Sequence, residues 1–176
     1  RRQALEALGR RRIERRRGCG PEVLPLPEVE CPEAAPAKPL LSVQSRDARI
    51  LEKALAWGAD EIVFEPQDVT EEGLSRAPAK SFALLLPPTM NGDDLARLNR
   101  WANGNDRITA ILASNPAHLA LSWPCPVRLD APMNLMNTRA AARFGLAYMP
   151  SVELTAKEIA RMGGEKELFV YGQLPL

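Results

Sequence analysis

Residues 40–176 alternate between short apolar runs and stretches in which apolar residues recur every three or four positions. The runs lack strict alternation of apolar and polar residues, which is typical of strands buried on both faces of a parallel sheet. The other stretches predict amphipathic helices. The apolar face of the first helix would hold Ile50, Leu51, Ala54 and Leu55. The predicted strands are 41–45, 61–65, 82–86, 109–113, 127–130, 146–149 and 168–172.

Residues that favour helix starts precede most of the helical stretches. Ser45, Asn91 and Asn137 are predicted N-caps, because their side-chain oxygens can accept hydrogen bonds from the N–H groups of the first turn. Thr155 and Glu158 have the spacing of a capping box. Glycines follow several of these stretches, as is common at helix C-termini. These signals place helices between the predicted strands.

This regular alternation of strand and helix predicts an α/β fold. A doubly wound sheet and a (β/α) barrel both fit the alternation. No GxGxxG motif follows the first strand, which disfavours the dinucleotide-binding form of the doubly wound sheet. About seven strand–helix units favour a TIM-like (β/α) barrel that is incomplete in this sequence, with a further unit expected beyond Leu176.

The N-terminal part of the sequence differs from the rest in charge and in proline content. Residues 1–17 contain eight arginines and two glutamates around a thin apolar stripe, which predicts a basic helix. Residues 18–39 contain six prolines and predict an extended linker. The predicted organisation is therefore a basic helix (1–17), a Pro-rich linker (18–39) and a barrel-like domain (40–176). The arginines are expected either to contact RNA or to be solvated.

Composition limits the compartment and the cofactor chemistry. No apolar run approaches the length of a membrane span, and no apolar signal segment begins the sequence. Cys19, Cys31 and Cys125 do not have the spacing of zinc ligands or of a redox CxxC motif. Reduced thiols in the cytoplasm are therefore expected, without a membrane partner. The first residues, Arg-Arg instead of Met, suggest a segment of a longer chain.

Polar residues gather where the predicted strands end. In a (β/α) barrel the carboxyl ends of the strands line the site. The residues at these ends are Gln44, Ser45, Glu65, Ser114, Asn115, Asp130, Asn134, Ser151, Glu153, Tyr171 and Gln173. Helix caps and solvated side chains would explain many of them as well as a site would. Asp130 is the exception, because it precedes the cap Asn137 by seven residues and is not needed by it.

The same strand ends disfavour several reaction classes. No lysine follows a predicted strand, so a Schiff base is not expected. His118 is the only histidine, and it is expected to pack or to lie at the surface. No nucleophile elbow is present, and a metal site of histidine and acids is equally unsupported.

Three motifs near the C-terminus resemble peptidase family U32, the collagenase-like family. They are an Asp-x-x-x-Asn-x-x-Asn segment within LDAPMNLMNTRAAARFG, a Ser-x-Glu-Leu segment, and a strand ending in Tyr-Gly. The matching residues are Asp130, Asn134, Asn137, Ser151, Glu153, Leu154, Tyr171 and Gly172. GADEIVF at Gly58–Phe64 and RRQALEAL at Arg1–Leu8 also resemble family segments.

The resemblance implies a TIM-like barrel and, in long members, two related halves, of which this sequence resembles the second. Some members are described as collagen-degrading proteases. Others take part in hydroxylating tRNA or ribosomal RNA, or in oxygen-independent quinone hydroxylation, with an iron–sulfur cluster. In cluster-bearing halves a cysteine closely follows a His-Gly pair, whereas Pro175 stands at the comparable position here. No cofactor is therefore expected within this segment, and an iron–sulfur cluster is expected only elsewhere in the full-length protein.

The leading functional expectation is participation in RNA hydroxylation. A U32-type protease and a non-catalytic scaffold or binding half are the alternatives. The implied partners are RNA through the N-terminal arginines, the other half of the full-length chain, and an unidentified small co-substrate or peptide. The expected substrate-binding residues are Asp130, Asn134, Asn137, Ser151, Glu153 and Tyr171.

The strand-end argument also gives geometric expectations for these residues. Asp130, Asn134, Glu153 and Tyr171 should converge at one end of the sheet. Asn137 should lie further out and cap the helix that follows it. Replacement of Asp130 or Glu153 by alanine should cost little stability but reduce binding or activity. A large loss of stability on replacing Asp130 would instead indicate a residue buried in a structural hydrogen-bond network.

Overall fold

A computed structural model describes residues 2–18 and 38–172 of the chain. The strands are β1 (Ser42–Ser45), β2 (Glu61–Phe64), β3 (Phe82–Leu85), β4 (Ile108–Ala113) and β5 (Val127–Leu129). The α-helices are α1 (Arg2–Gly18), α2 (Ala48–Ala56), α3 (Glu71–Ser75), α4 (Gly92–Asn103), α5 (Thr138–Phe144) and α6 (Ala156–Arg161). Two 3₁₀ turns, Pro116–Ala120 and Ala131–Met133, follow β4 and β5. The alternating elements form the predicted α/β fold.

The five strands make one parallel sheet in the order β1-β2-β3-β4-β5. Each strand therefore lies beside its neighbour in the sequence, as right-handed strand–helix–strand connections allow. Beyond β5 the described residues form isolated parallel bridges, which join Leu129 to Tyr148, Leu135 to Pro150 and Tyr148 to Lys166. The carboxyl ends of all five strands lie at the same edge.

Helices cover one face of the sheet, which we call the outer face. Phe64, Phe82 and Leu84 are buried there. They belong to the same apolar cluster as Leu51 of α2 and Leu98 of α4, both of which are fully buried. This burial of large apolar side chains is the main favourable contribution to the stability of the sheet–helix layers.

The opposite face, which we call the inner face, has a separate apolar cluster made by the strands themselves. Its buried members are Val63, Ala83, Leu85, Ala110 and Leu112. The register pairs them across the sheet, so their side chains point to the same side. Within the described residues, no helix contributes a buried residue to this cluster. The contacts within this cluster are therefore made between neighbouring strands.

Two of the seven predicted strands are wrong. Residues 146–149 form isolated bridges at Tyr148, and residues 168–172 are not a strand. The run from Leu168 to Tyr171 is β-prone in composition but lies exposed. A strand requires a hydrogen-bonded neighbour along its length, and the last bridge to this region ends at Lys166. Composition alone therefore overestimated the number of strands.

Most helix ends follow the predicted caps, with one correction. Asn91 and Asn137 cap α4 and α5, and Thr155 with Glu158 forms the predicted capping box of α6. Asp47, not Ser45, caps α2 through a 2.9 Å hydrogen bond from the Arg49 N–H group. The helix begins later than expected, because Ser45 still belongs to β1.

Three of the four residues predicted for the apolar face of α2 pack against the sheet, and Ile50 does not. Ile50 is 53% exposed, whereas Leu51 is fully buried and Ala54 is buried. Leu55 packs at the edge of the outer-face cluster as a partly buried residue. The prediction for Ile50 is therefore wrong, and the other three positions agree with the expected face.

The predicted basic helix is present as α1, in which Arg10, Arg11 and Arg12 are exposed. Only residues 18, 38 and 39 of the predicted linker are among the described residues. Cys19, Cys31, Gln173 and Pro175 lie outside them. Cys125 is a free, partly buried thiol, and burial raises its pKa. Among the described residues, no helix is long and apolar enough to cross a membrane.

Candidate functional site

A buried polar pair lies at the carboxyl edge of the sheet. Ser114 directly follows β4 and Asp130 directly follows β5, and these strands are neighbours. The Ser114 hydroxyl donates a 2.9 Å hydrogen bond to Oδ2 of Asp130. Both residues are less than 10% exposed. The hydrogen bond therefore joins the ends of two adjacent strands in a poorly solvated place.

Burial raises the pKa of the Asp130 carboxyl above its usual range, because an ionised carboxylate loses hydration there. Hydrogen bonds from Ala131 and Ser114 act in the opposite direction, and the negative charge of Glu65 raises the pKa further. Desolvation is the largest of these effects. Asp130 therefore holds its proton to a higher pH than an ordinary surface aspartate does.

Glu65 adds a second carboxylate at the same edge, just after β2. The Arg46 guanidinium donates to Oε1 of Glu65 and forms an ion pair with it, and Gln44 Nε2 donates to Oε2 at 3.2 Å. The Glu65 carboxylate raises the pKa of Arg46 further, through the hydrogen bond and the charge. The edge thus carries a partly exposed charged group on the β1–β2 side and, on the β4–β5 side, a buried acid whose pKa is raised.

His118 fixes the loop after β4 and does not act as a base towards Ser114. Its Nδ1 accepts a 3.2 Å hydrogen bond from the backbone N–H of Ser114, and the side chain is 1% exposed. Burial lowers the pKa of His118, so the ring is held neutral. In a serine-hydrolase triad the histidine faces the serine oxygen, but here that oxygen donates to Asp130. The packing role expected for His118 is confirmed.

A partly buried ion-pair group lies on the inner face. Arg128 of β5 contacts Glu61 of β2 through Nη2 at 2.8 Å and Glu167 through Nη1 at 2.7 Å. Burial raises the pKa of Glu167, and the positive charge of Arg128 opposes that rise. The Nε atom of Arg128 is buried without a hydrogen-bond partner among the described residues. Arg128 therefore joins three parts of the chain across the inner face.

The six predicted site residues do not share one environment. Asp130 is buried against Ser114, and Ser151 is also buried, with its oxygen accepting from the Glu153 N–H group at 3.3 Å. Asn134 is exposed and adopts the left-handed conformation that ends a 3₁₀ turn, with φ 52°. Glu153 is exposed.

The remaining two predicted residues are Asn137, which caps a helix, and Tyr171, which is exposed and lies outside the strands. Asn137 Oδ1 accepts a 2.9 Å hydrogen bond from the Ala140 N–H group, which confirms the expected N-cap. Tyr171 is 95% exposed and follows no strand. The strand-end argument that placed Tyr171 beside Asp130 therefore fails. The expectation of an accessible Asp130 is also corrected, because the residue is buried in a hydrogen-bonded pair.

Sequence reasoning missed the partners that give Asp130 its environment. Ser114 was noted as a strand end, and its pairing with Asp130 follows from β4 and β5 being neighbours. Arg128 lies two residues before Asp130 and so points to the same face of β5. That two-residue spacing was the available signal for the inner-face ion pairs.

The described residues contain no group of three histidine, cysteine, aspartate or glutamate side chains that could hold a metal ion. The fold and the site together define an α/β protein with a polar cluster at the carboxyl edge of a parallel sheet. No family model, curated protein or solved structure matches this chain.

Proposed function

We propose that the chain is a barrel-type half of a U32 peptidase-family protein and that it takes part in RNA hydroxylation by binding, not by supplying the reacting groups. The observation that carries this proposal is the polar edge around Asp130, Ser114 and Glu65, which contains hydrogen-bonding groups but no activated nucleophile. Such an edge suits a ligand that is held and oriented.

Strand order and the inner face support the barrel. In a doubly wound sheet the strand order reverses at a switch point, whereas the five strands here follow the chain without reversal. Barrel interiors are filled by side chains from the strands, and the inner-face cluster of five apolar residues matches that pattern. The ion pair between Arg128 and Glu61 requires curvature in the same direction.

The arginines of α1 support RNA as the partner. Arg10, Arg11 and Arg12 are exposed on one helix. Contacts from clustered arginines to phosphates supply most of the sequence-independent affinity for nucleic acids. In this proposal α1 holds the RNA backbone, and the carboxyl edge of the sheet holds either a small co-substrate or part of the RNA.

A non-catalytic scaffold is the second candidate, and the burial of Asp130 favours it. A carboxyl group that is 8% exposed and hydrogen-bonded to Ser114 can serve the structure alone. The U32-type protease receives no comparable support, because Ser114 donates to Asp130 and His118 is occupied by a backbone N–H group. Cys125 is the only cysteine among the described residues, so an iron–sulfur cluster would need ligands from elsewhere.

The test compares RNA from cells with and without the gene. Nucleosides from tRNA and ribosomal RNA would be separated and weighed by mass spectrometry, and the deletion would be complemented by the wild-type gene or by Glu65→Gln. Loss of one hydroxylated nucleoside, restored by the wild type and restored less well by Glu65→Gln, is the expected result. Full restoration by Glu65→Gln favours the scaffold. Unchanged nucleosides together with gelatin cleavage by the purified protein favour the protease.

A further inference from the structure

An apolar groove of about 540 Å³ opens on the outer face, between the loop after β4 and helix α5. Leu119, Leu121 and Trp123 form one wall, and Phe144 and Leu146 form the other. All five side chains are partly buried. The groove is separate from the polar carboxyl edge described above, and no part of the proposed function uses it.

The groove exists because one connection lacks a helix. The connections from β1 to β2 and from β3 to β4 carry α2 and α4, which cover the outer face. The connection from β4 to β5 carries only the 3₁₀ turn Pro116–Ala120. Val127 of β5 is consequently only partly buried. It packs against the outer-face cluster and also against a second apolar cluster that includes Leu129 and Tyr148. This part of the sheet therefore lacks the helical cover that α2 and α4 provide further along it.

The wall of the groove is held in place by hydrogen bonds. The Trp123 indole Nε1 donates to the His118 carbonyl at 2.8 Å, and Asn99 Nδ2 of α4 donates to the Ser122 carbonyl at 2.8 Å. His118 itself is buried and bonded to the backbone of Ser114. An apolar partner would therefore meet a preformed surface, which lowers the entropy cost of binding.

Arg143 sets the charge of the groove. It is exposed, it lines the groove from α5, and its guanidinium has no carboxylate partner among the described residues. An occupant with a carboxylate at that point would gain a favourable contact, and a basic occupant would be repelled. The basic helix α1 is a poor occupant for this reason, because Arg10, Arg11 and Arg12 adjoin its exposed Leu8 and Ile13.

We propose that this groove docks an amphipathic α-helix of a partner protein, with apolar residues in the groove and a glutamate or aspartate facing Arg143. Helix-in-groove recognition uses apolar anchors at positions i, i+3 or i+4, and i+7. Such a helix would complete the outer layer beside α5 and cover Val127. The contact of its acidic residue with Arg143 sets the direction and the register of the partner helix in the groove.

The test uses the whole chain and two synthetic helical peptides labelled with a fluorophore. Both peptides carry leucines at i, i+3, i+4 and i+7, and they differ only in having glutamate or lysine at the flanking positions. Fluorescence anisotropy is expected to show saturable binding of the glutamate peptide, at least about tenfold tighter than the lysine peptide. Arg143→Glu should reverse this preference. Arg161→Glu, an exposed change on α6 outside the groove, should leave it unchanged.

The reversal of preference is the decisive result, because a misfolded variant loses binding and does not gain a new partner. Leu121→Asp provides a second check and should weaken both peptides, since it places a charge in the apolar wall. The proposal is overturned if neither peptide binds, or if Arg143→Glu leaves the preference for glutamate intact. A concentration-dependent dimer in sedimentation experiments that disappears in Leu121→Asp would assign the groove to a second copy of the chain and would also overturn it.

Discussion

Arg128 on β5 lies 2.8 Å from Glu61 on β2, although β3 and β4 separate the two strands. In a flat sheet these strands would be roughly 14 Å apart, at the usual spacing of neighbouring strands. The strand registers also offset Glu61 by about four residues from the level of Arg128. Side-chain length alone would not span that separation in a flat sheet, so the contact indicates curvature towards the inner face. The contact of Arg128 with Glu167 extends the connection beyond β5, so one guanidinium links residues 61, 128 and 167.

Removing this guanidinium should destabilise the fold. Arg128→Met keeps much of the side-chain volume and leaves Glu61 and Glu167 facing each other without a cation. Because the pair is mostly but not fully buried, we expect a loss of about 1–3 kcal/mol in the free energy of unfolding, measured with urea. The matched control is Arg76→Met, which breaks an exposed pair with Glu72 and should cost less than about 0.5 kcal/mol.

Equal losses in the two variants would show that the Arg128 contacts do not hold the curvature. Addition of salt gives a second comparison. Salt screens exposed pairs more than buried ones, so it should reduce the effect of Arg76→Met and change the effect of Arg128→Met much less.

Asp130 should depend on its hydrogen bond more than on its charge. Asp130→Ala leaves the buried Ser114 hydroxyl without an acceptor and should cost about 1–3 kcal/mol in urea unfolding. Asp130→Asn keeps an acceptor oxygen and removes the buried charge, and it should cost much less. This expectation replaces the small effect of alanine predicted for an accessible site residue. A small effect of Asp130→Ala would restore the accessible role.

The pH dependence of the same variants provides a separate prediction. The pKa of Asp130 is raised in the folded state above its ordinary value of 3.8. The folded state therefore binds the proton of Asp130 more tightly than the unfolded state does. The resulting stabilisation of the fold is fully present below pH 3.8 and is lost as pH rises through the folded-state pKa. Relative to wild type, Asp130→Asn should gain stability over that rise. Urea unfolding at a series of pH values measures the difference, and parallel curves would contradict the prediction.

His118 should give the opposite trend. Burial lowers the pKa of His118 below the ordinary 6.5. The contribution of the neutral ring to the free energy of unfolding is therefore present above pH 6.5 and is lost as pH falls through the folded-state pKa. His118→Asn preserves an acceptor near the position of Nδ1 and removes the titration. Wild type should therefore lose more stability than His118→Asn on acidification from about pH 7.5 to about pH 5.5. Equal losses would mean that the ring is not kept neutral by burial.

The fold was predictable as far as each element has a local signal. Strands β2, β3 and β4 are short apolar runs whose side chains are mostly buried, and the caps at Asn91 and Asn137 are local hydrogen bonds. The predicted strand at 168–172 failed because strand formation depends on a neighbour, which residue composition does not provide. The prediction for Ile50 failed for a different reason: the sequence shows an apolar stripe, but the way the helix packs on the sheet decides which edge of that stripe is buried.

The candidate site was less predictable, because its contacts join residues that are distant in the sequence. Asp130 was identified, but its partner Ser114 is 16 residues away and becomes adjacent only once β4 and β5 pair. Arg128 and Glu61 are 67 residues apart, and their contact requires the curvature of the whole sheet. Sequence periodicity shows which face of a strand a residue occupies, but it does not show how far the sheet bends.

The cap at Asn137 is a test of a local prediction inside the region that resembles the U32 motifs. Asn137→Ala removes the acceptor for the Ala140 N–H group and should cost about 1 kcal/mol in the free energy of unfolding. Asn137→Asp retains an acceptor and should cost a few tenths of that. A loss of nucleoside hydroxylation in Asn137→Asp without a loss of stability would give Asn137 a binding role besides the cap.

The last prediction concerns RNA and the exposed arginines of α1. If Arg10, Arg11 and Arg12 contact phosphates, the affinity of the protein for RNA should fall steeply with added salt, because each contact releases counterions. Changing all three to alanine should weaken binding and reduce the slope of log K against log salt by up to about three. The charge-matched control changes three exposed arginines outside α1, namely Arg76, Arg100 and Arg161, and should reduce the slope less. Filter binding at several salt concentrations measures both slopes. An affinity that is independent of salt, or equal slopes for the two triple variants, would remove α1 from the RNA-binding surface.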